Sequence, residues 1–208
     1  EQLGYSTLGD RNRFGLALVL GGGEVKLLDH TVAYATFANQ GLQMPPVSIL
    51  KVEDSKGKIL EAWQTGPGKQ VVDKDVVATL SNVLSDNNAR AYVFRTKNYL
   101  TLPDRPVAAK TGTTNNFKDA WTMGYIPQLA SGVWVGNTSG TEMKAGADGS
   151  KIAAPIWQEF MQKALAGSPV EGFVAPQIPV TGKALLDGQL QSTTVVIDKS
   201  TGKLATDA

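Results

Sequence analysis

The sequence predicts an α+β fold, a mixture in which helices flank an antiparallel sheet. Apolar residues recur at helical spacing after Asp73, as Val76, Val77, Leu80, Val83 and Leu84. Further along, three extended apolar segments follow one another between residues 107 and 137, with only short turn sequences between them. Strands joined by such short turns pair antiparallel. Helices predicted before and after this run of strands make the fold a mixed α+β one, an antiparallel sheet flanked by helices.

The first part of the chain predicts one helix and one hairpin. Asp29 is expected to cap a helix that continues through Asn39, and Gly41 is expected to stop it. A β-hairpin should follow, in which Val47–Glu53 pairs with Lys58–Trp63 around an Asp-Ser-Lys-Gly turn.

The second part predicts the main sheet between two helices. The helix that begins after Asp73 should give way to a loop, Asn88–Asp104. Three strands are then expected at Val107–Gly112, Ala120–Ile126 and Gly132–Asn137, with turns at Asn115-Asn116 and Pro127-Gln128. A loop rich in glycine and serine, Thr138–Ser150, precedes the last helix, which is predicted at Ala154–Ala166 with Pro155 in its first turn and Gly167 after its end.

Residues 1–168 are predicted to form one structural domain and residues 169–208 an extended tail. At 208 residues and 42% hydrophobic content, the chain is long enough to bury a core. Beyond Ser168 the prolines Pro169, Pro176 and Pro179 disfavour regular structure. We expect at most one edge hairpin in this tail, formed by Thr193–Asp198 with Gly202.

Composition excludes several classes of function. The formal net charge is +1 with acids and bases well mixed, which does not indicate a nucleic-acid surface. The chain has no cysteine, so it has neither disulfides nor cysteine-ligated metal, and its one histidine, His30, is no metal site by itself. Gly21-Gly22-Gly23 lacks the Gly-Lys-Ser/Thr of a P-loop and predicts a structural turn. No apolar run approaches the roughly 20 residues that span a bilayer.

The segment Arg105–Thr114 is the most informative part of the sequence. It reads as an apolar strand that ends in Lys110-Thr111-Gly112-Thr113. Such a strand delivers an ammonium, two hydroxyls and a backbone position without a side chain to one spot. That combination suits a site that binds a carboxylate and polarises a carbonyl. Lys-Thr-Gly is also one of three motifs of penicillin-binding proteins and class A β-lactamases.

Residues 110–137 resemble the end of the transpeptidase domain of class A, or bifunctional, penicillin-binding proteins. The family pattern there is KTGTT, then Asp-x-Trp, Gly-Tyr-x-Pro and Val-Trp-Val-Gly. The matching positions of this chain are Asp119, Trp121, Gly124, Tyr125, Pro127, Trp134 and Gly136. Upstream, Leu18–Gly41 resembles a helix-opening segment of the same family, and downstream Ala153–Met161 resembles its closing helix. Thr122 departs from the pattern, because many members carry an aromatic residue there.

The resemblance implies a penicillin-binding protein/β-lactamase-like transpeptidase fold and a serine-type DD-transpeptidase. In that reaction a serine attacks the penultimate D-alanine carbonyl of a peptidoglycan stem peptide ending in D-Ala-D-Ala, and β-lactams acylate the same serine. Lys110 and Thr113 are then the expected catalytic residues. The expected substrate-binding residues are Thr111, Gly112, Thr113, Thr114 and Asn115. Neither a metal nor a cofactor is expected.

The resemblance also assigns a role to each of these groups. Lys110 is expected to place positive charge beside the nucleophile, which favours deprotonated states. The hydroxyls of Thr111 and Thr113 are expected to donate to the substrate carboxylate. Gly112 leaves room for the substrate backbone, and the main-chain N–H of Thr113 is expected to form half of an oxyanion hole. Thr114 and Asn115 are open between lining the cleft and being plain turn residues.

The two other motifs of the family, Ser-x-x-Lys and Ser-x-Asn, are expected upstream of the matched segment and so outside this chain. Ser48-Ile49-Leu50-Lys51 and Ser85-Asp86-Asn87 imitate them in the right order. The nucleophile and its lysine must share one face of a helix start, whereas Ser48 lies in sequence of strand composition, where residues three apart point to opposite faces. Ser85-Asp86-Asn87 is typical of a helix end. We therefore expect neither to be catalytic and this chain alone to be inactive.

Partners and location follow from the same resemblance. The expected partners are the stem peptide, β-lactams and the upstream half of the same domain. Without that half, the apolar face that packs against it should be exposed. Location is expected on the outer face of the bacterial cytoplasmic membrane, with any anchor upstream. Two alternatives stay open: a non-catalytic cell-wall or partner-binding module that retains the fold, and a DD-carboxypeptidase or β-lactamase.

Overall fold

The computed structural model describes residues 2–177, 180–188 and 196–204 of the protein. The chain divides into two compact units, Glu1–Pro176 and Gln177–Ala208. The described residues form four α-helices: α1 (Leu27–Ala38), α2 (Lys74–Ser85), α3 (Asn87–Phe94) and α4 (Ala154–Ala164). They form seven strands: β1 (Leu42–Gln43), β2 (Lys51–Glu53), β3 (Ile59–Ala62), β4 (Lys69–Gln70), β5 (Ala108–Thr113), β6 (Asp119–Ile126) and β7 (Leu129–Gly136).

The main sheet is an antiparallel meander in the order β5-β6-β7. The three predicted strands are therefore confirmed, and their ends differ from the predicted ones by at most three residues. Pro127 and Gln128 form the two-residue turn between β6 and β7. Because β6 lies in the middle, the other edge of β5 is open, since it pairs with no strand among the described residues. The helices pack on this sheet, so the predicted α+β architecture with an antiparallel sheet flanked by helices is confirmed.

Helices α1 and α2 cover one face of the sheet. The rings of Tyr34 and Phe37 from α1 lie 5.9 and 6.3 Å from the ring of Tyr125 on β6. Tyr125 is fully buried, and its hydroxyl shares a 2.8 Å hydrogen bond with Ser81 of α2. A buried tyrosine hydroxyl needs such a partner. This face therefore packs aromatic residues of α1 against the sheet.

Helix α4 covers the opposite face. Trp157 is fully buried there and donates its indole N–H to the Ser131 carbonyl on β7. A Cβ on Gly124 would lie 2.3 Å from Cζ2 of Trp157, so only glycine leaves room for the indole. The core around Trp157 contains Leu100, Leu102, Val107, Ala109, Ile126, Ala154, Met161 and Leu165.

The first helix begins earlier than the sequence predicts. Helix α1 starts at Leu27 with Lys26 at the N-cap, so the prediction of Asp29 as the cap is wrong. Asp29 lies in the first turn, and its carboxylate accepts hydrogen bonds from the main-chain N–H and the hydroxyl of Ser6. The end is as expected: Gly41 has a φ of 85°, and its N–H donates to the Thr36 carbonyl.

The predicted loop Asn88–Asp104 contains a helix, which corrects the sequence interpretation. Asp86 ends α2 and its side chain accepts hydrogen bonds from the N–H groups of Asn88 and Ala89, so it is the N-cap of α3. The Ser-Asp-Asn sequence reads as a helix end, but its aspartate also starts the next helix. A short polar helix of 8 residues has too few apolar positions to show a clear period.

The remaining elements are smaller than predicted. The hairpin exists as β2 and β3, with Leu50 and Trp63 extending it by one hydrogen bond, but Val47–Ser48 precede it as irregular chain. A π-helical turn, Gly149–Ala153, precedes α4, which ends two residues early at Ala164. In the second unit, Ile197 and Leu204 form an isolated antiparallel bridge; the predicted hairpin residues 193–195 lie outside the described residues. No helix in the described segments is long and apolar enough to cross a membrane.

Candidate active site

The predicted site residues lie together at one end of the open edge of the main sheet. Lys110, Thr111, Gly112 and Thr113 are consecutive on β5, and Thr114 and Asn115 follow directly. Lys110, Thr113 and Asn115 are exposed, whereas Thr111, Gly112 and Thr114 are half-buried. Because the strand is short and regular, its sequence order becomes a spatial order along the sheet edge.

Hydrogen bonding to β6 determines which main-chain groups face this edge. Thr114 donates its N–H to the Asp119 carbonyl at 3.1 Å, and Thr113 lies opposite Ala120 in the next register position. Bonded and non-bonded pairs alternate along an antiparallel ladder. Thr113 and Thr111 therefore direct their main-chain N–H and C=O groups away from β6, towards the open edge.

The side chain of Lys110 lies along the same strand. Its Nζ donates to the Thr111 carbonyl at 2.7 Å. That carbonyl is one of the groups that face the open edge. The ammonium therefore lies beside the main-chain groups that face the open edge, where it can contact an anion or a hydroxyl group.

The hydroxyl of Thr113 is held by the turn before α4. The N–H of Gly149 donates to Oγ1 of Thr113 at 3.1 Å, and the Gly149 carbonyl accepts from Oγ1 of Thr122 at 3.1 Å. A Cβ on Gly149 would lie 2.3 Å from the Trp121 carbonyl oxygen and 2.6 Å from that of Gly112. Only glycine can approach the sheet this closely. The sequence analysis missed Gly149, whose only signal was a glycine just before the last helix.

The turn after β5 is organised by Asp119. Its carboxylate accepts hydrogen bonds from the Thr114 hydroxyl at 2.8 Å and from the Trp134 indole N–H at 2.9 Å. Its own N–H donates to Oγ1 of Thr114 at 2.9 Å. The carboxylate of Asp119 therefore binds two side chains in this part of the sheet. The Thr114 hydroxyl thus bonds within the turn.

Asn115 and its neighbours form a tight bend. Asn116 and Phe117 have φ angles of 60° and 53°, in the left-handed region that asparagine tolerates better than most residues. The predicted turn at Asn115-Asn116 is therefore present as a short 3-10 segment, Asn115–Phe117. The bend leaves the Asn115 side chain exposed at the end of β5.

The two sequences that resemble the nucleophile motifs, Ser48–Lys51 and Ser85–Asn87, do not lie in the candidate site. Ser48 lies in exposed irregular chain rather than on the predicted strand, and Lys51 begins β2. Ser85 ends α2 and donates its hydroxyl to the Asn82 carbonyl, while Asp86 caps α3. Neither sequence has the helix-start geometry that proton transfer from serine to lysine requires.

The described residues contain no cluster of histidine, cysteine and acidic side chains that could hold a metal. The histidine has a structural environment: Nδ1 of His30 lies 2.6 Å from the Tyr5 hydroxyl, and its ring packs against Tyr34 and Trp121. Burial lowers the pKa of His30, which keeps the ring neutral. Burial and the charge of Asp29 raise the pKa of Tyr5 to about 12.

Residues 22–162 match the penicillin-binding protein transpeptidase domain family. The chain belongs to this family. Among curated relatives, it is 36% identical over 161 residues to penicillin-binding protein 1A of Aquifex aeolicus, which covers 77% of this chain and 21% of that relative. It is 38% identical over 170 residues to penicillin-binding protein 1A of Mycolicibacterium smegmatis, covering 76% of this chain and 21% of the relative. This chain therefore spans only 21% of the length of each of these two relatives.

Solved structures of the family share the fold. The penicillin-binding protein PonA1 of Mycobacterium tuberculosis superposes with a TM-score of 0.72 at 31% identity, over 85% of this chain and 51% of that one. Penicillin-binding protein 1A of Haemophilus influenzae gives a TM-score of 0.65 over 99% of this chain and 34% of that one; at 21% identity this match supports the fold alone. The resemblance recognised in the sequence is therefore confirmed.

Proposed function

We propose that this chain supplies the Lys-Thr-Gly-Thr wall of a serine-type DD-transpeptidase that cross-links peptidoglycan. A serine attacks the penultimate D-alanine carbonyl of a stem peptide that ends in D-Ala-D-Ala. The terminal D-alanine leaves, and the amine of another strand then resolves the acyl-enzyme. The observation that carries the proposal is the open edge of β5, where an ammonium, hydroxyls and free main-chain groups stand in one row. An extended peptide binds such an edge by adding a strand.

Lys110 and the two threonines then have separate roles: the threonines bind the substrate carboxylate, and Lys110 acts on the nucleophile. The substrate ends in a carboxylate, and charge-assisted hydrogen bonds from hydroxyls and an ammonium are about twice as strong as neutral ones. Thr111 and Thr113 donate to that carboxylate. Lys110 places its positive charge beside the nucleophile and favours its deprotonated form. Gly112 leaves the strand flat enough for the substrate backbone to lie against it.

Thr113 also contributes a main-chain donor. Its N–H faces the open edge in the alternating ladder, which supports its role as one half of an oxyanion hole. The N–H of the nucleophilic serine supplies the other half. Loss of one such donor typically costs about 2.7–4 kcal/mol of transition-state stabilisation. Thr114 supports the wall from behind through Asp119, and Asn115 lines its exposed end.

β-Lactams are the second class of ligand in this proposal. PonA1 has also been solved in complex with penicillin V. A penicillin carries a carboxylate next to a strained amide, so it offers the open edge of β5 the same two groups as the stem peptide. The hydroxyls of Thr111 and Thr113 bind the carboxylate, and the N–H of Thr113 receives the amide oxygen.

The nucleophile belongs, in this proposal, to a segment upstream of the chain. No serine of a Ser-x-x-Lys sequence in the described residues lies at the start of a helix. The apolar residues Tyr92 and Leu16 are 98% and 93% exposed, and such surfaces suit contact with the nucleophile-bearing half of the domain. The chain acts outside the cytoplasmic membrane, where peptidoglycan is made, and is held there by an anchor in the preceding part.

One alternative is a non-catalytic module that binds cell wall or a partner. A second alternative, also an enzyme, is a DD-carboxypeptidase. Intact-mass analysis after exposure to a penicillin separates the serine enzyme from the binding module. The chain alone and the chain extended by its natural upstream region are incubated with the same penicillin. We expect a stoichiometric adduct only on the extended protein. An adduct on the short chain would place the nucleophile within it, and no adduct on either would favour the binding module.

A further inference from the structure

Thr122 is a fully buried polar residue next to the candidate site. It lies in the middle strand β6, directly opposite Thr111, and its exposure is 0%. Its hydroxyl donates to the Gly149 carbonyl at 3.1 Å. A buried hydroxyl must be satisfied, and the branched Cβ of threonine restricts its rotamers. The hydroxyl of Thr122 therefore restrains the orientation of the Gly149 carbonyl.

Gly149 connects this buried bond to the open edge. Its carbonyl accepts from both Thr122 Oγ1 and the Ala154 N–H, and its own N–H donates to Thr113 Oγ1 at 3.1 Å. Glycine has more backbone freedom than any other residue. The two bonds on its carbonyl restrict this freedom and hold the residue against the sheet, where its N–H reaches Thr113.

The bond from Gly149 determines the direction of the Thr113 hydroxyl. A hydroxyl has one hydrogen and two acceptor lone pairs. Here one lone pair is used by the Gly149 N–H, and among the residues that the structure describes no acceptor takes the hydrogen. The hydroxyl hydrogen of Thr113 therefore remains available to donate. The hydrogen bond that Oγ1 accepts from the Gly149 N–H polarises the hydroxyl, as in a chain of hydrogen bonds, and strengthens it as a donor.

We propose that Thr122 is a positioning residue that acts through Gly149 to present the Thr113 hydroxyl as a donor to a carboxylate. The inference rests on the proposed function, and it adds the residue that sets how strongly the site prefers substrates with a free carboxylate. Thr122 itself touches no substrate. The mere satisfaction of a buried hydroxyl would stabilise the fold but would not change the preference between a carboxylate and its neutral analogue.

The test compares acylation by a penicillin and by the methyl ester of the same penicillin, in the protein that includes the upstream region. The readout is the ratio of the two second-order rate constants. Thr122→Val keeps the shape and removes the hydroxyl; we expect the ratio to fall about 2- to 12-fold, the effect of one ordinary hydrogen bond. Thr122→Ser retains a hydroxyl and should restore most of the ratio.

Thr36→Val is the matched control. Thr36 is 2% exposed and donates its hydroxyl to the Val32 carbonyl within α1, away from β5. It should leave the ratio unchanged. Equal slowing of both substrates by Thr122→Val, or an unchanged ratio, would overturn the proposal. If Thr122→Val fails to fold, Thr122→Ala gives the same comparison. Absence of acylation of the unaltered protein by either compound would instead refute the proposed function.

Discussion

The Asp119 carboxylate and the Trp134 indole join the turn after β5 to the outer strand of the sheet. Trp134 Nε1 donates to Oδ1 of Asp119 at 2.9 Å, while Oδ2 accepts from the Thr114 hydroxyl. One carboxylate therefore links the end of the motif strand to β7, across the start of β6.

The Asp119–Trp134 bond is expected to stabilise the fold measurably. Removal of a hydrogen bond to a charged group costs about 1.5–3 kcal/mol, so Trp134→Phe should lower the free energy of unfolding by that amount. Urea unfolding of the single variants and of Asp119→Ala with Trp134→Phe completes a double-mutant cycle. Additive effects of the two substitutions would contradict a direct bond.

Lys110 is expected to be needed for acylation rather than for folding. Its side chain is exposed and bonds only to the neighbouring Thr111 carbonyl among the described residues. Because removal of one electrostatically stabilising group at an active site typically costs at least about 100-fold in rate, Lys110→Ala should slow penicillin acylation by that factor in the extended protein. Stopped-flow mass analysis measures the rate. Lys118→Ala, an exposed lysine in the next turn, is the control and should react normally.

Gly112 and Gly124 form a matched pair that separates binding from packing. A Cβ on Gly112 would lie 3.4 Å from Cβ of Trp121, an ordinary contact, whereas one on Gly124 would lie 2.3 Å from the Trp157 ring. Gly124→Ala should therefore lose about 1–3 kcal/mol of stability through overpacking. Gly112→Ala should unfold at the same urea concentration as the unaltered protein but acylate more slowly. Equal stability losses in the two variants would refute this distinction.

Stability should depend on pH through His30. Burial lowers the pKa of this residue below its usual 6.5 in the folded chain, so the unfolded chain binds the proton more tightly. The stabilising contribution is complete above about pH 6.5 and is lost as the pH falls through the folded pKa. Urea unfolding at pH 7.5 and pH 5.5 should show a loss that His30→Gln abolishes.

The Asp29 carboxyl titrates in a separate, more acid range and does not obscure this test. Hydrogen bonds from Ser6 lower the pKa of neighbouring Asp29 below 3.8, so its contribution is lost only at more acid pH. Tyr5→Phe removes the hydroxyl 2.6 Å from His30 without adding a titrating group. A pH dependence that persists unchanged in His30→Gln would assign it to another residue.

The sequence alone determined the α+β class, the three strands of the main sheet and the family. Lys110–Thr113 lie consecutively on one strand, so the spacing of a continuous motif is preserved when the strand forms. Local signals also located the end of α1, because a glycine stop acts within one turn. They failed at Asp29 and Asp86, where a cap competes with another partner or serves a second helix.

Only the tertiary structure decided which of these residues act together. Asp119 and Trp134 are separated by 15 positions, and Gly149 and Thr113 by 36. Such pairs meet because strands fold back and because α4 packs on the sheet, and no local pattern records those distances. The sequence therefore contains the chemistry of the motif strand, whereas long-range packing brings the N–H of Gly149 to the hydroxyl of Thr113.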